Sequence, residues 1–275
     1  MNTRARAALL GDIVMIAAAA GDVVWEHFAA GCAVETKADE SPVTAADRAA
    51  ELVILAGLAR VAGHIPVVAE EEAAAGRIPD VGSAFFLVDP LDGTREFVRR
   101  GTDFTVNIGL VERGRPTMGV VYAPARGRLY WGDTAHGGAW TATRLPHGEI
   151  EAAQAIGVRS CAGAPCAVAS KSHNTPATEA WLAGAGVTER ISIGSSLKFV
   201  LVASGEADVY PRPAPTMEWD TAAGDAVLRA AGGRVFDLDG ADLLYGKERF
   251  FNPGFVATGP YSPAPLRPFL SEAEY

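Results

Sequence analysis

The chain has 275 residues, 49% hydrophobic and 21% charged, an ordinary composition for a globular protein of about two domains or one large one. Its formal net charge of −9 argues against non-specific nucleic-acid binding and against docking on an anionic membrane surface. A small anionic substrate is not excluded, because bound cations reverse the local field.

The N-terminus carries Arg4 and Arg6 ahead of the apolar run Ile13 to Ala20, a faint likeness to a signal peptide. Asp12 interrupts that pattern, and helical periodicity continues to Phe28, so residues 4 to 30 are expected to form one amphipathic, Ala-rich helix stopped by Gly31. No stretch is expected to reach the ~18–20 apolar residues of a membrane span. Cys32, Cys161 and Cys166 make neither a disulfide framework nor a zinc knuckle, which fits reduced thiols in a cytoplasmic protein.

Thr44 is a natural N-cap for a second helix from about Ala45 to Arg60. That places Asp47 in the first turn, where a carboxylate answering the helix dipole is the plainer reading. Ile65 to Ala69 reads as a short strand ending at Glu70-Glu71-Glu72. Three adjacent glutamates are usually solvated, yet Glu70 at a strand end could face a second strand end at Asp89.

That second strand is the centre of the pattern. The run Phe85-Phe86-Leu87-Val88 leads into Asp89-Pro90-Leu91-Asp92-Gly93-Thr94 and then a helix-compatible segment. A strand, a tight turn and a helix N-terminus suit phosphate binding through backbone N–H groups. Asp89 and Asp92 would repel a phosphate and each other, by ~4 kcal/mol for charges about 4 Å apart at an effective dielectric near 20. A divalent cation between them resolves the conflict, and oxygen ligands favour Mg²⁺ or Mn²⁺. The alternative at this point is an Asp-rich surface turn.

Phe104 to Glu112 and Pro116 to Tyr122 read as a hairpin around Arg113-Gly114-Arg115, and Arg128 to Gly132 and Gly138 to Thr141 continue a meander. The first half is thus expected to be two helices on an antiparallel sheet. A boundary is placed between residues 148 and 149, giving an α+β subdomain over 1–148 and an α/β subdomain over 149–275. The second half alternates strands at Ala167–Ser170, Arg190–Ile193, Asp208–Tyr210, Gly233–Phe236 and Phe255–Thr258 with helices at Pro176–Ala185, Leu197–Ser204 and Trp219–Ala231. Asp220, in Trp219-Asp220-Thr221-Ala222-Ala223-Gly224, is a fourth candidate acid, or simply an N-cap.

Ser195-Ser196-Leu197-Lys198 fits an S-x-x-K pattern, but the S-D-N and K-T-G companions of serine β-lactamases are absent. Neither a P-loop nor a strand-borne G-x-G-x-x-G occurs.

Taken together, Asp89 to Thr94, Phe104 to Ile108, the preceding Glu-Glu and the late Trp-Asp-x-Ala-Ala-Gly resemble the lithium-sensitive, magnesium-dependent phosphatase superfamily typified by inositol monophosphatase. The likeness covers nearly the whole chain, with three separated motifs in the right order. It is closer to the CysQ branch, the 3′(2′),5′-bisphosphate nucleotidases. The features carrying it are Ser41 to Asp47, Asp89 to Phe97, Gly119 to Pro124, Ser170 to His173, Gly194 to Phe199, Tyr210 to Arg212 and Asn252 to Phe255. Pro213-Ala214-Pro215 departs from the more usual Gly-Pro.

The resemblance implies a layered αβαβα sandwich of two subdomains. It implies two or three Mg²⁺ ions, with Mn²⁺ as a substitute. Glu70, Asp89 and the Leu91 carbonyl would hold one ion, and Asp89, Asp92 and Asp220 a second. Gly93 and Thr94 amides would cradle the scissile phosphate. Thr94, bonded to Asp47, would orient and deprotonate the attacking water. His173, Ser195, Lys198 and Arg212 would bind the rest of a phosphorylated nucleotide, with Lys198 and Arg212 as partners of a second phosphate. The implied reaction removes the 3′-phosphate of 3′-phosphoadenosine 5′-phosphate in sulfur assimilation. Rival readings are an inositol monophosphatase or fructose-1,6-bisphosphatase activity, and a non-catalytic nucleotide- or metal-binding protein. No nucleic-acid partner is expected, and the sequence does not choose between a monomer and a homodimer.

Overall fold

The computed structural model describes residues 2–31, 34–36, 42–161, 163–170 and 175–270. Ser41 and the segment holding His173 lie outside the described residues.

Helix α1 spans Thr3–Ala30, capped by the Asn2 side chain, which accepts from the Ala5 N–H at 2.9 Å. By length and composition alone α1 could cross a membrane, a test that a buried core helix also passes. Its small and aliphatic residues instead pack inside the protein: Ile13, Ala17, Ala20 and Val24 are buried against α2 (Ala45–Ala62) and the first sheet. Arg6 is also buried, bound at 2.9 Å to Asp133 and 2.6 Å to Glu112. Short strands β1 (Val34–Thr36) and β2 (Pro42–Thr44) join the two helices.

The first sheet has seven strands in sequential order: β3 (Val67–Ala69), β4 (Ala84–Asp92), β5 (Thr105–Glu112), β6 (Arg115–Ala123), β7 (Arg128–Asp133), β8 (Gly138–Thr143) and β9 (Gln154–Ile156). It is mixed rather than antiparallel throughout, because β3 and β4 run parallel with Ala69 beside Val88. The β5–β6 turn, Arg113-Gly114, takes positive φ at both residues, the geometry a two-residue hairpin needs. Strand β9, which the sequence did not mark, pairs with β8 and carries the sheet past residue 148.

The second sheet has the order β11-β10-β12-β16-β14, from Glu189–Ile193, Cys166–Ser170, Val209–Arg212, Phe255–Thr258 and Arg234–Phe236. Strands β10, β11 and β12 are parallel, and β16 runs against both β12 and β14. A further ribbon pairs β13 (Thr216–Met217) with β15 (Phe251–Asn252).

Between the sheets lie α6 (Leu197–Ala203) and α7 (Ala222–Ala230). On the far face α5 (Pro176–Gly184) packs with Trp181 and Leu182 against Val209 and Val256. The layers are thus helix, sheet, helix, sheet, helix, an αβαβα sandwich.

Two glycines set the spacing of the middle layer. A Cβ at Gly109 on β5 would lie 2.8 Å from the Ala223 nitrogen, and one at Gly119 on β6 would lie 2.2 Å from the Ala223 carbonyl oxygen. Without side chains there, α7 settles directly on the sheet backbone. That seating carries Asp220, just ahead of α7, toward the end of β4.

Candidate active site

The site forms where β3 and β4 end. Register slips between Asp89, opposite Asn107, and Asp92, opposite Thr105, so the strand bulges between its two aspartates before it ends at Asp92. Gly93 follows at φ 92, where a Cβ would lie 2.7 Å from the Asp103 carbonyl oxygen, and Thr94 begins α4 (Thr94–Val98). Glu70 begins α3 (Glu70–Ala74) directly after β3, the parallel neighbour of β4, so the two strand ends deliver Glu70 and Asp89 to the same edge.

Glu70, Asp89, Leu91, Asp92, Gly93, Thr94, Ser195, Lys198, Arg212 and Asp220 all line one cleft of about 280 Å³. Asp47 stands behind it: the Thr94 hydroxyl lies 3.2 Å from its Oδ1 and 3.0 Å from the Leu91 carbonyl oxygen. Asp47 Oδ2 accepts from the Thr44 N–H at 2.8 Å and the Thr44 hydroxyl at 2.7 Å. One Asp47 oxygen thus closes a capping box while the other faces the Thr94 hydroxyl. Burial raises the Asp47 carboxyl above its ordinary range.

The acids feel one another. Burial first, and then the charges of Glu70, Asp92 and Asp220, hold the Asp89 carboxyl well above the usual carboxylate range. Burial, with Asp92 and Glu70, pushes Asp220 up to about 8. Each of three aspartates is turned onto a donor. Asp89 accepts from the Leu91 N–H at 2.9 Å, Asp92 from the Ser196 hydroxyl at 2.8 Å, and Asp220 from the Met217 N–H at 2.9 Å. Asp220 is therefore not an N-cap. That back-bond holds residues 217–220 in a turn, and α7 starts at Ala222, three residues later than the sequence pattern implies.

Turned this way, the acids share the cleft without forming a ready-made cage: no three acidic, histidine or cysteine side chains converge on one point among the described residues. The donor chemistry itself fits a hard divalent cation, since every candidate ligand is a carboxylate or carbonyl oxygen and two of the carboxyls are destabilised as anions by their surroundings.

The opposite wall is cationic. Lys198 on α6 is buried, donates to the Ser195 carbonyl oxygen at 2.6 Å and stands 5.3 Å from the centre of the Tyr210 ring. Burial lowers its pKa to about 8, with Asp92 pulling the other way. Ser195 takes φ 51, bending the chain sharply into α6. Arg212 ends β12, donating to the carbonyl oxygens of Ala214 at 3.2 Å and Pro215 at 3.4 Å, so the unusual Pro213-Ala214-Pro215 segment is what steadies its guanidinium.

Sequence reasoning missed three residues near this centre. Ser196 and Asn107 are joined at 3.0 Å beside Asp92, and buried Glu51 accepts from the N–H groups of Glu71 at 2.8 Å and Glu72 at 3.0 Å. Glu51 had a visible signal, standing four residues after Asp47 on the same helix face.

The inositol monophosphatase family model matches residues 9–260. The chain belongs to the inositol monophosphatase family. Members of this family are generally metal-dependent, typically on Mg²⁺. The chain is similar to the 3′(2′),5′-bisphosphate nucleotidase CysQ of Salmonella typhimurium, with 44% identity over 253 residues, 91% of this chain and 99% of that protein. The protein of the same name from Escherichia coli K12 is 43% identical over 90% of this chain and 98% of its own length. The crystal structure of CysQ from Bacteroides thetaiotaomicron, described as a bacterial member of the inositol monophosphatase family, superposes with a TM-score of 0.78 at 37% identity, covering 92% of this chain and 98% of that one. An inositol monophosphatase structure from Thermotoga maritima shares the fold at a TM-score of 0.72 and 24% identity, covering 90% of each chain.

Proposed function

We propose that this chain is a Mg²⁺-dependent 3′(2′),5′-bisphosphate nucleotidase. It removes the 3′-phosphate from 3′-phosphoadenosine 5′-phosphate, giving AMP and phosphate, in the cytoplasm and in the setting of sulfur assimilation. The observation that carries this reading is the pairing within one cleft of four carboxylates with a buried ammonium, Lys198, and a backbone-steadied guanidinium, Arg212. A bisphosphate needs both: an acidic end for the group that leaves and a cationic end for the group that stays. Free thiols at Cys161 and Cys166 are in keeping with a reducing compartment.

Glu70, Asp89, Asp92, Asp220 and the Leu91 carbonyl would hold two or three Mg²⁺ ions, for which Mn²⁺ would substitute. When bound, these cations supply the charge neutralisation and water activation that in-line phosphoryl displacement requires. The chain's own groups do the positioning. Thr94, held by Asp47 at 3.2 Å, turns a lone pair toward an incoming water; as it accepts the water's proton it gives its own hydroxyl proton to the Asp47 carboxylate. Gly93 and Thr94 amides receive the scissile phosphate. Lys198, Arg212, Ser195 and His173 hold the remainder of the nucleotide. In this reading residues 1–148 supply most cation ligands and residues 149–275 most substrate contacts.

The test is kcat/KM measured side by side on 3′-phosphoadenosine 5′-phosphate, inositol monophosphate and fructose 1,6-bisphosphate with Mg²⁺. A clear preference for the nucleotide is expected. Preference for either sugar phosphate overturns the substrate assignment, and binding without phosphate release overturns the enzyme.

A further inference from the structure

Ser196 is 2% exposed and occupies the N-cap position of α6, yet its side chain makes no capping bond to that helix. Its hydroxyl oxygen lies instead 2.8 Å from Asp92 Oδ2, 2.9 Å from the Asp220 carbonyl oxygen and 3.0 Å from Asn107 Nδ2. A serine hydroxyl has one proton and two lone pairs. The Asn107 amide nitrogen can only donate, so Ser196 accepts there, and its own proton is shared between Asp92 and the Asp220 carbonyl. An ionised carboxylate is the stronger acceptor, so Asp92 takes the larger share. Asn107 is fully buried on β5, opposite Asp89, and its Oδ1 has no hydrogen-bond partner among the described residues. One hydroxyl therefore ties three separate pieces of chain, the end of β4, the middle of β5 and the turn ahead of α7.

We infer that Ser196 is a positioning residue for cation binding. It fixes the Asp92 carboxylate and the Asp220 main chain at one separation, the arrangement in which both aspartates would serve as ligands of one ion. Asn107 holds the Ser196 hydroxyl in the rotamer that does this. The inference rests on the reading of Asp92 and Asp220 as cation ligands. Ser196 acts through them and need not touch substrate. Groups that orient metal ligands in this way typically control affinity by about 10- to 100-fold.

The experiment is calorimetric titration of Mg²⁺ into the wild type, Ser196→Ala and Ser196→Thr, with melting temperatures in chelator and KM for the bisphosphate at saturating Mg²⁺. Ser196→Ala is expected to bind Mg²⁺ about 10-fold or more weakly with KM nearly unchanged, and Ser196→Thr, which keeps the hydroxyl, to recover most of the affinity. A purely structural role would lower the melting temperature and leave Mg²⁺ affinity alone. Ser196→Ala binding Mg²⁺ within about twofold of the wild type overturns the inference while leaving the ligand assignment intact. A wild type that takes up no Mg²⁺ overturns both. Should Ser196→Ala not fold, Ser196→Cys, which keeps the volume but donates weakly, is read against the same two thresholds.

Discussion

Asp47 and Glu51 stand one turn apart on α2, and each buried carboxylate leaves its helix to hold a different part of the cleft. Asp47 reaches the Thr94 hydroxyl at the head of α4. Glu51 caps α3 from a distance, accepting from the Glu71 and Glu72 N–H groups where the local N-cap, Ala69, offers no side-chain bond. Since α3 begins at Glu70, a single helix face steadies both the Thr94 hydroxyl and the strand-end glutamate.

Asp47→Asn should lower kcat by about 10²- to 10⁴-fold with little change in KM, because the amide cannot accept the hydroxyl proton that Thr94 gives up. Thr94→Ala should cost a similar factor. The double variant should be no worse than either single one, because the two groups act as a unit. Steady-state kinetics on the three proteins reads this directly, and additive losses would separate the pair.

Burial raises Glu51 from an ordinary 4.5 to about 7, and the nearby Glu71 and Glu72 charges add to the rise. A carboxyl whose folded pKa is raised keeps its proton in the fold while the unfolded chain has lost it. Its contribution to stability is fully present below pH 4.5 and is lost as pH climbs to about 7. Urea unfolding in chelator, compared with the non-titrating Glu51→Gln, should show the wild-type advantage shrinking across that window and flat outside it. A constant difference would mean that Glu51 is already ionised throughout.

Lys198 is held at about 8 by its burial, so its charge disappears as pH passes that value. The kcat/KM for the bisphosphate should therefore fall on an alkaline limb near pH 8. Lys198→Met should lose about 10- to 100-fold in kcat/KM and lose that limb as well. Persistence of the limb in the variant would assign it to another group.

Much of this was readable beforehand, and the gaps have physical causes. Thr44 with Asp47, Asp89 to Thr94, and Arg113-Gly114 are local signals: a cap, a bulged strand end and a tight turn each depend on a few consecutive residues. Strands β9, β13 and β15 were invisible because two or three residues carry no periodicity, and their pairing is decided by partners far along the chain. Ser196 and Asn107 lie 89 positions apart, and nothing local distinguishes Ser196 from Ser195. Helix α1 is strongly apolar despite Asp12 because its small and aliphatic residues serve the core, where 56% of its most apolar window is buried.

The buried end of α1 offers its own test. Arg6 meets Asp133 and Glu112, and the Asp133 carboxyl is held below its usual range despite burial, by bonds from His136 and Arg6. Arg6→Met should destabilise the fold by about 3 kcal/mol by leaving Asp133 short of its main counter-charge. The loss should shrink as the pH falls through the range where Asp133 protonates, since a depressed carboxyl contributes stability only above its folded pKa. Urea unfolding at neutral and acid pH measures both effects, and an unchanged midpoint would make the contact superficial.

Phosphate release from 3′-phosphoadenosine 5′-phosphate, followed as Mg²⁺ is raised from zero in the wild type and in Asp92→Ala, bears most directly on the cleft carboxylates. The wild type should be silent in chelator and turn over as Mg²⁺ saturates, with Asp92→Ala at least ~10³-fold slower at every concentration. Turnover by the chelated wild type, or near-normal rates in Asp92→Ala, would contradict a mechanism built on these four acids.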